Sequence, residues 1–301
     1  MDEPVYAVFN PQSGKGRGAR LVGPVLRALS AGGSLAVEHG VTAKAGDEAG
    51  LAREAIGRGF RRIVAVGGDG TWSNVANAIL ASQVPGVSLG LVGSGTGCDL
   101  AKSLGIPARD VDACARIVRG GHTRTIDVGR VEGRFFLNVV GFGFDIAVIE
   151  DSWRVRYLTG ELLYFYCALR QIYSFPGFPV EISAEGAPAR RQDLLMLVIA
   201  NARVFGGGFE IAPRADLADG RLDAVAFGNM GLLRRLRLIG QLRRGAHESA
   251  PEVATTTAAS FRLRFEAPPA YETDGELNRA KAAEIRVDAV PGALRVLVPG
   301  P

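Results

Sequence analysis

Three short apolar runs in the first hundred residues each stop at a glycine-rich turn, and this constrains the fold more than any other feature. Val5–Phe9 runs into Asn10-Pro11-Gln12-Ser13-Gly14-Lys15-Gly16. Residues 63–66 run into Gly67-Gly68-Asp69-Gly70-Thr71, and residues 88–92 into Gly93-Ser94-Gly95-Thr96-Gly97-Cys98-Asp99. Helical patterns cover 19–31, 46–58, 71–82 and 110–119. Buried strands alternating with helices predict an α/β domain, a parallel sheet with flanking helices. Ligands of such sheets bind beyond the carboxyl ends of the strands, so the three loops predict one binding crevice.

The pattern changes near residue 125. Glu132-Gly133 between apolar runs reads as a hairpin. Short strands are expected at 125–131, 134–140, 180–184, 194–200, 222–227, 261–265, 285–287 and 294–298. Phe261-Arg262-Leu263-Arg264-Phe265 alternates as a half-exposed antiparallel strand does. Helical patterns at 156–173 and 232–244 interrupt them. We expect a nucleotide-binding α/β domain over 1–124 and a β-rich, sandwich-like domain over 125–301. The sequence leaves open whether the last strands return to the first domain.

The chemistry of the loops points to phosphate. Glycines let backbone N–H groups approach an anion, and Ser13 and Lys15 add a hydroxyl and a charge. The first loop lacks the spacing of a Walker A motif, and an ordinary turn competes with phosphate contact there. In the second loop Thr71 opens a helix whose N-terminus attracts negative charge. Asp69 would repel a bare phosphate, which makes sense if a Mg²⁺ ion lies between them; the alternative is that Asp69 caps the helix. The third loop offers Thr96 and a further carboxylate, Asp99. Its glycines do not keep the dinucleotide spacing.

Composition removes other classes. The formal charge of +4 over 301 residues is too mild to argue for nucleic acid. Three cysteines without paired spacing argue against a disulfide framework or structural zinc site and for a reducing compartment. The apolar runs are far shorter than the ~20 residues of a bilayer span. With an acidic start in place of a signal peptide, a cytoplasmic chain is expected. His39, His122 and His247 are scattered and receive no chemistry.

Taken together, the Asn10–Gly14 stretch, the Gly-Gly-Asp-Gly-Thr loop at 67–71, Ser94-Gly95-Thr96 through Gly105-Ile106-Pro107, the Asp216–Arg221 stretch and Asp274-Gly275-Glu276 resemble the diacylglycerol kinase catalytic-domain family. These are the bacterial lipid kinases related to sphingosine and ceramide kinases, and the resemblance spans the chain. It implies ATP as phosphoryl donor, bound in a cleft between the two domains by Asn10, Pro11, Gln12, Ser13, Gly14, Thr42, Gly67, Gly68, Asp69, Gly70, Thr71, Trp72, Ser73 and Thr96. It implies a Mg²⁺ site at Asp216, Asp219 and Arg221, with Asp219 giving a carboxylate and the other two mainly backbone oxygens. It implies catalytic carboxylates at Glu276 and Asp274, with Asp69 in the mechanism. Glu276 is the expected base and Asp274 its helper or the alternative base. Read without the resemblance, Asp219-Gly220 and Asp274-Gly275 are hairpin turns. Ser73 and Asn74 stand where the family usually has Asn and Glu, and Cys98 where it has Asn.

The implied activity is ATP- and Mg²⁺-dependent phosphorylation of a lipid alcohol, with diacylglycerol giving phosphatidic acid as the default. NAD kinase, which shares the Gly-Gly-Asp-Gly-Thr loop, and a non-catalytic nucleotide- or lipid-binding protein are the alternatives. The apolar stretch 156–173 borders a core or a lipid cleft. Residues 232–244 interleave leucines with Arg234, Arg235, Arg237, Arg243 and Arg244, and no acidic residue occurs from Ala224 to His247. A basic amphipathic helix of this kind lies on an anionic membrane surface or packs as a solvated helix. Peripheral membrane contact is therefore expected, nucleic acid is not, and a homodimer stays open.

Overall fold

The computed structural model describes residues 3–33, 35–95, 97–155, 157–158, 161–242 and 244–300, with the side chains of Glu161 and Tyr164 set aside. The chain divides into two compact units, residues 1–128 with 291–301, and residues 129–290.

In the first unit β1 (Val5–Phe9), α1 (Ser13–Ser30), β2 (Val37–Val41), α2 (Asp47–Gly57), β3 (Arg62–Gly67), α3 (Asp69–Ser82), β4 (Ser88–Gly93), α4 (Asp99–Ser103) and α5 (Val111–Gly120) follow in order, and β5 (Thr123–Val131) leads out. The strands run β2-β1-β3-β4, all parallel, with Val5 opposite Val37 and Arg62, and Ile63 opposite Leu89. Every residue of β1 and β4 is buried, as strands covered by helices on both faces require. β2 is the exposed edge, and its mixed sequence hid it from the apolar-run reading. Asp110 caps α5 by accepting Ala113 N–H.

In the second unit β6 (Arg134–Phe136), β7 (Val139–Gly143), α6 (Phe144–Arg154), α7 (Glu161–Ser174), β8 (Phe178–Ala184), β9 (Arg190–Ala200), β10 (Val204–Phe205), β11 (Phe209–Glu210), β12 (Leu222–Gly228), α8 (Leu232–Leu242), β13 (Val253–Ala258), β14 (Ser260–Arg264), β15 (Ala270–Thr273), β16 (Glu276–Arg279) and β17 (Glu284–Leu297) follow. The pairing is antiparallel, in the order β16-β15-β7-β9-β8-β14-β17, with β12 between β9 and β13. β9 feeds two cores, with a register shift opposite Phe227 and Gly228: Leu194, Leu197 and Ile199 join Phe142, Phe261 and Leu263, while Leu195 and Val198 join Val225 and Phe227.

Several elements differ from the sequence reading. The strand expected over 134–140 breaks at Leu137 and Asn138, where Asp274 takes the backbone N–H groups. The strands expected at 285–287 and 294–298 are one element, β17, which accommodates Pro291 and a left-handed Gly292. Its Arg295 and Val296 pair in parallel with Ser88 and Leu89 of β4. The helix α6 was not legible as one; it starts immediately after β7 at Gly143, whose φ of 101° permits the sharp exit. Arg156, where the expected long helix starts, lies outside the described residues, and α7 begins at Glu161.

Candidate active site

Asn10 organises the first loop. Its Oδ1 accepts the N–H groups of Gln12 and Ser13, and its Nδ2 donates to Glu48 Oε1 at 2.9 Å and to Thr71 Oγ1 at 3.1 Å. One side chain thus ties the loop after β1 to the loop after β3. Gly14, Lys15 and Gly16 then take left-handed φ values of 59°, 60° and 84° in succession. A Cβ on Gly14 would lie 1.9 Å from the carbonyl oxygen of Ser94, so only glycine permits this approach to the third loop. Ser13 and Ser94 hydroxyls share a short hydrogen bond at the same place. Thr42 is buried beside this loop, its N–H donating to Phe9. Pro11 belongs to the turn that leads into it.

The second and third loops are also joined. Gly67 accepts the N–H of Ser94, and a Cβ on Gly95 would lie 3.0 Å from the α-carbon of Gly68. Asp69 accepts Cys98 N–H with Oδ2 and Asp99 N–H with Oδ1, both at 2.8 Å. Both oxygens of the carboxylate read as facing a phosphate-bound cation therefore have backbone partners. Burial first, and Asp99 second, push the Asp69 carboxyl above its ordinary value, against the pull of the backbone N–H bonds. Asp99 is in turn paired with Lys102 at 2.9 Å.

At the start of α3 the amides of Gly70 and Thr71 precede the first intrahelical acceptors, which leaves them to a ligand or to water. Trp72 and Ser73 turn their side chains into the core, both 0% exposed. Only their backbone remains for a nucleotide. Thr96, expected at the nucleotide, lies outside the described residues.

In the second unit Asp274 and Gly275 form the turn of the β15–β16 hairpin, with φ of 50° and 88°. The buried Asp274 carboxylate accepts Leu137 N–H and Asn138 N–H at 2.8 Å and Val139 N–H at 3.2 Å. With its oxygens bonded in this way, Asp274 acts as a backbone clamp and is a poor candidate for the base. Glu276, two residues on, is partly exposed and paired with Arg134. The sequence reading missed Glu272, which is buried, and Asp145, half-buried with its Oδ2 enclosed; their only signals were a carboxylate inside a short strand and a Phe144-Asp145 pair directly after Gly143.

Asp216 Oδ1 accepts Ala218 N–H and Asp219 Oδ1 accepts Arg221 N–H. Two successive turns thus bring these carboxylates and the backbone oxygens of the segment together. Among the described residues no cluster of three or more His, Cys, Asp or Glu could hold a metal. The donors here suit a hard cation held largely by backbone and water, and do not form a carboxylate cage.

Residues 4–131 match the model of the diacylglycerol kinase catalytic domain, and residues 138–298 match that of the YegS C-terminal NAD kinase beta sandwich-like domain. The chain is a member of the diacylglycerol kinase catalytic-domain family. It is 32% identical to a diacylglycerol kinase of Mycobacterium tuberculosis (strain ATCC 25618 / H37Rv), over 98% of this chain and 95% of that one. In fold it resembles the crystal structure of a diacylglycerol kinase from Bacillus anthracis str. Sterne (TM-score 0.74, 20% identity, 99% and 97% of the two chains). It also resembles an NAD kinase from Archaeoglobus fulgidus in complex with ATP (TM-score 0.53, 11% identity, 98% and 93%). As a family member the chain is a lipid kinase, with ATP as phosphoryl donor. Among the described residues no helix is long and apolar enough to cross a membrane.

Proposed function

We propose that this lipid kinase transfers the γ-phosphoryl group of ATP to the free hydroxyl of diacylglycerol, giving phosphatidic acid, with Mg²⁺ required. The observation that carries the nucleotide side is the left-handed run Gly14-Lys15-Gly16 docked on Ser94 beside the start of α3. Gly16 N–H is taken by the Gln12 carbonyl, so the N–H groups of Gly14 and Lys15, with the Lys15 ammonium, are the donors this loop would offer to polyphosphate. Asp69 shapes this cradle by bonding the third loop. For the acceptor, the name of the Mycobacterium tuberculosis relative supports diacylglycerol.

The hydroxyl oxygen forms the new bond to the γ-phosphorus, the bond from that phosphorus to the β–γ bridging oxygen breaks, and ADP leaves. Glu276 is our choice of base for the hydroxyl proton, because it is reachable by solvent while Asp274 is committed to backbone. Asp216, Asp219 and the backbone of Arg221 would hold Mg²⁺, which when bound screens negative charge. The remaining work is positioning and charge neutralisation, as phosphoryl transfer generally requires.

The test uses labelled ATP, Mg²⁺ and mixed micelles containing diacylglycerol, a sphingoid base or a monoacylglycerol. Label in the organic phase with diacylglycerol alone is the expected result. Label in the aqueous phase that depends on added NAD overturns it.

A further inference from the structure

The apolar segment after α6 does not bury all its large side chains. Leu162, Phe165, Leu169 and Tyr173 of α7 are between 44% and 80% exposed. Their spacing of three, four and four residues places them within a helical face about 80° wide at ~100° per residue. The inner side of α7 is occupied: Leu163, Tyr166, Cys167 and Ala168 pack with Val148 and Val155. Trp153 at the end of α6 is 64% exposed, and Tyr157 is exposed beside it. A stripe of this size needs a cover.

The neighbouring helix α8 shows how the platform is built. Arg235, read from the sequence as part of a basic face, is buried. Its guanidinium donates to the carbonyls of Met230, Ile172 and Phe175 and to Asn229 Oδ1. It therefore fastens the first turn of α8 to the end of α7, and no part of it is left for lipid. Leu233 on that turn is 83% exposed. Arg234 pairs with Glu252, while Arg237 and Arg244 are exposed, as is Arg154 beside Trp153. Arg243 lies outside the described residues.

Charge decides between a bilayer and another cover. No carboxylate occurs between Leu162 and Val180, or between Ala224 and His247. Arg170 of α7 is paired with Asp151, and the exposed cations beside the stripe are Arg154, Arg237 and Arg244; a Trp and two Tyr are among its exposed rings, the kind that membrane interfaces concentrate. We propose that the exposed face of α7, with Trp153 and Leu233 beside it, docks this chain on an anionic phospholipid bilayer. The choice of occupant rests on the lipid-kinase reading. The surface itself is read from exposure and charge alone.

The chain has two tryptophans, and Trp72 is fully buried, so a lipid-dependent emission change reports Trp153. With vesicles of phosphatidylglycerol and phosphatidylcholine, Trp153 emission should move to the blue and be quenched by bromine on the acyl chains. Phe165→Ser with Leu169→Ser should lower the partition coefficient at least tenfold, and Arg237→Gln with Arg244→Gln about fivefold or more on anionic vesicles only. Melting temperature and turnover of a water-soluble short-chain diacylglycerol should hold in both double variants. Unmoved Trp153 emission, wild-type partitioning of the serine variant, or equal binding to neutral and anionic vesicles overturns the proposal. A concentration-dependent shift without lipid assigns the stripe to a second copy of the chain and overturns it too. If the kinase reading fails instead, turnover is absent in every variant while partitioning still separates them.

Discussion

Asp145 Oδ2 and Glu272 Oε1 converge over the α-carbon of Gly141. A Cβ there would lie 1.9 Å from the first and 2.8 Å from the second. Neither oxygen has a hydrogen-bond partner among the described residues. The other Glu272 oxygen accepts Gly275 N–H at 2.6 Å, so this acid also braces the turn that carries Asp274. Burial pushes the Asp145 carboxyl up to about 7 and Glu272 well above its ordinary value, with Asp145 adding to the latter. Two carboxylate oxygens enclosed this close together favour one shared proton.

Stability should therefore depend on pH in a defined direction. The folded chain keeps a proton that the unfolded chain releases near pH 4, so stability falls as pH rises from about 4 to about 7 and then levels. Asp145→Asn mimics the protonated acid. We expect the gap between it and wild type to be smallest near pH 4 and to widen to several degrees by pH 8, the variant melting higher. Melting curves at four pH values check this; a variant that tracks wild type throughout removes the shared proton.

Asp274→Ala should damage the fold before it damages the chemistry. It strands the N–H groups of Leu137, Asn138 and Val139 in a buried place, at a cost of about 3 kcal/mol or more. Asp274→Asn keeps one acceptor and tolerates the left-handed backbone, so about half that loss is expected. Denaturant unfolding distinguishes the two. Equal stability of both variants and wild type would return Asp274 to the list of candidate bases.

Asp69→Ala removes the acceptor that holds Cys98 and Asp99 in line. Turnover should drop at least a hundredfold, the low end for a group that fixes catalytic geometry. The KM for ATP should rise as well, because the third loop loses its anchor. Steady-state kinetics with varied ATP check this, and an unchanged KM would show that the loop is held by other contacts.

Glu276→Gln keeps the size of the side chain and removes its charge. As the proposed base, it should lower turnover by about a hundredfold or more while the melting temperature stays within about 2 °C, because the carboxylate is partly exposed. Phosphoryl transfer at the wild-type rate would exclude it.

How much of this was legible in the sequence differs by residue. The parallel sheet was readable because β1, β3 and β4 are buried on both faces and so leave unbroken apolar runs ending in glycine. The sandwich strands with one solvated face were found where they alternate, as at Phe261–Phe265, and lost where they are short or polar, as in β13 and β16. Gly14 and Asp69 stood out by spacing, but what Asp69 bonds to depends on a loop thirty residues away. Asp274 was singled out through its motif, yet its bonds to residues 137–139 span more than 130 positions, and no local pattern carries that information. Glu272 and Asp145 gain their meaning only from meeting over Gly141. Arg235 looked like its neighbours because the three arginines of α8 differ only in which way they turn.

Gly14 allows a separate test of the nucleotide cradle. Its φ of 59° and the 1.9 Å approach of a Cβ to the Ser94 carbonyl mean that even alanine must push the first loop off the third. The loop is near the surface and few core contacts depend on it, so Gly14→Ala should fold with a slightly lower melting temperature. Its calorimetric Kd for ATP with Mg²⁺ should rise tenfold or more, because the first loop no longer sits against the third at Ser94. Vesicle partitioning should be untouched, since the apolar stripe belongs to the other unit. An unchanged Kd would mean that the phosphates are held at the start of α3 alone, and the first loop would lose its assigned part in binding.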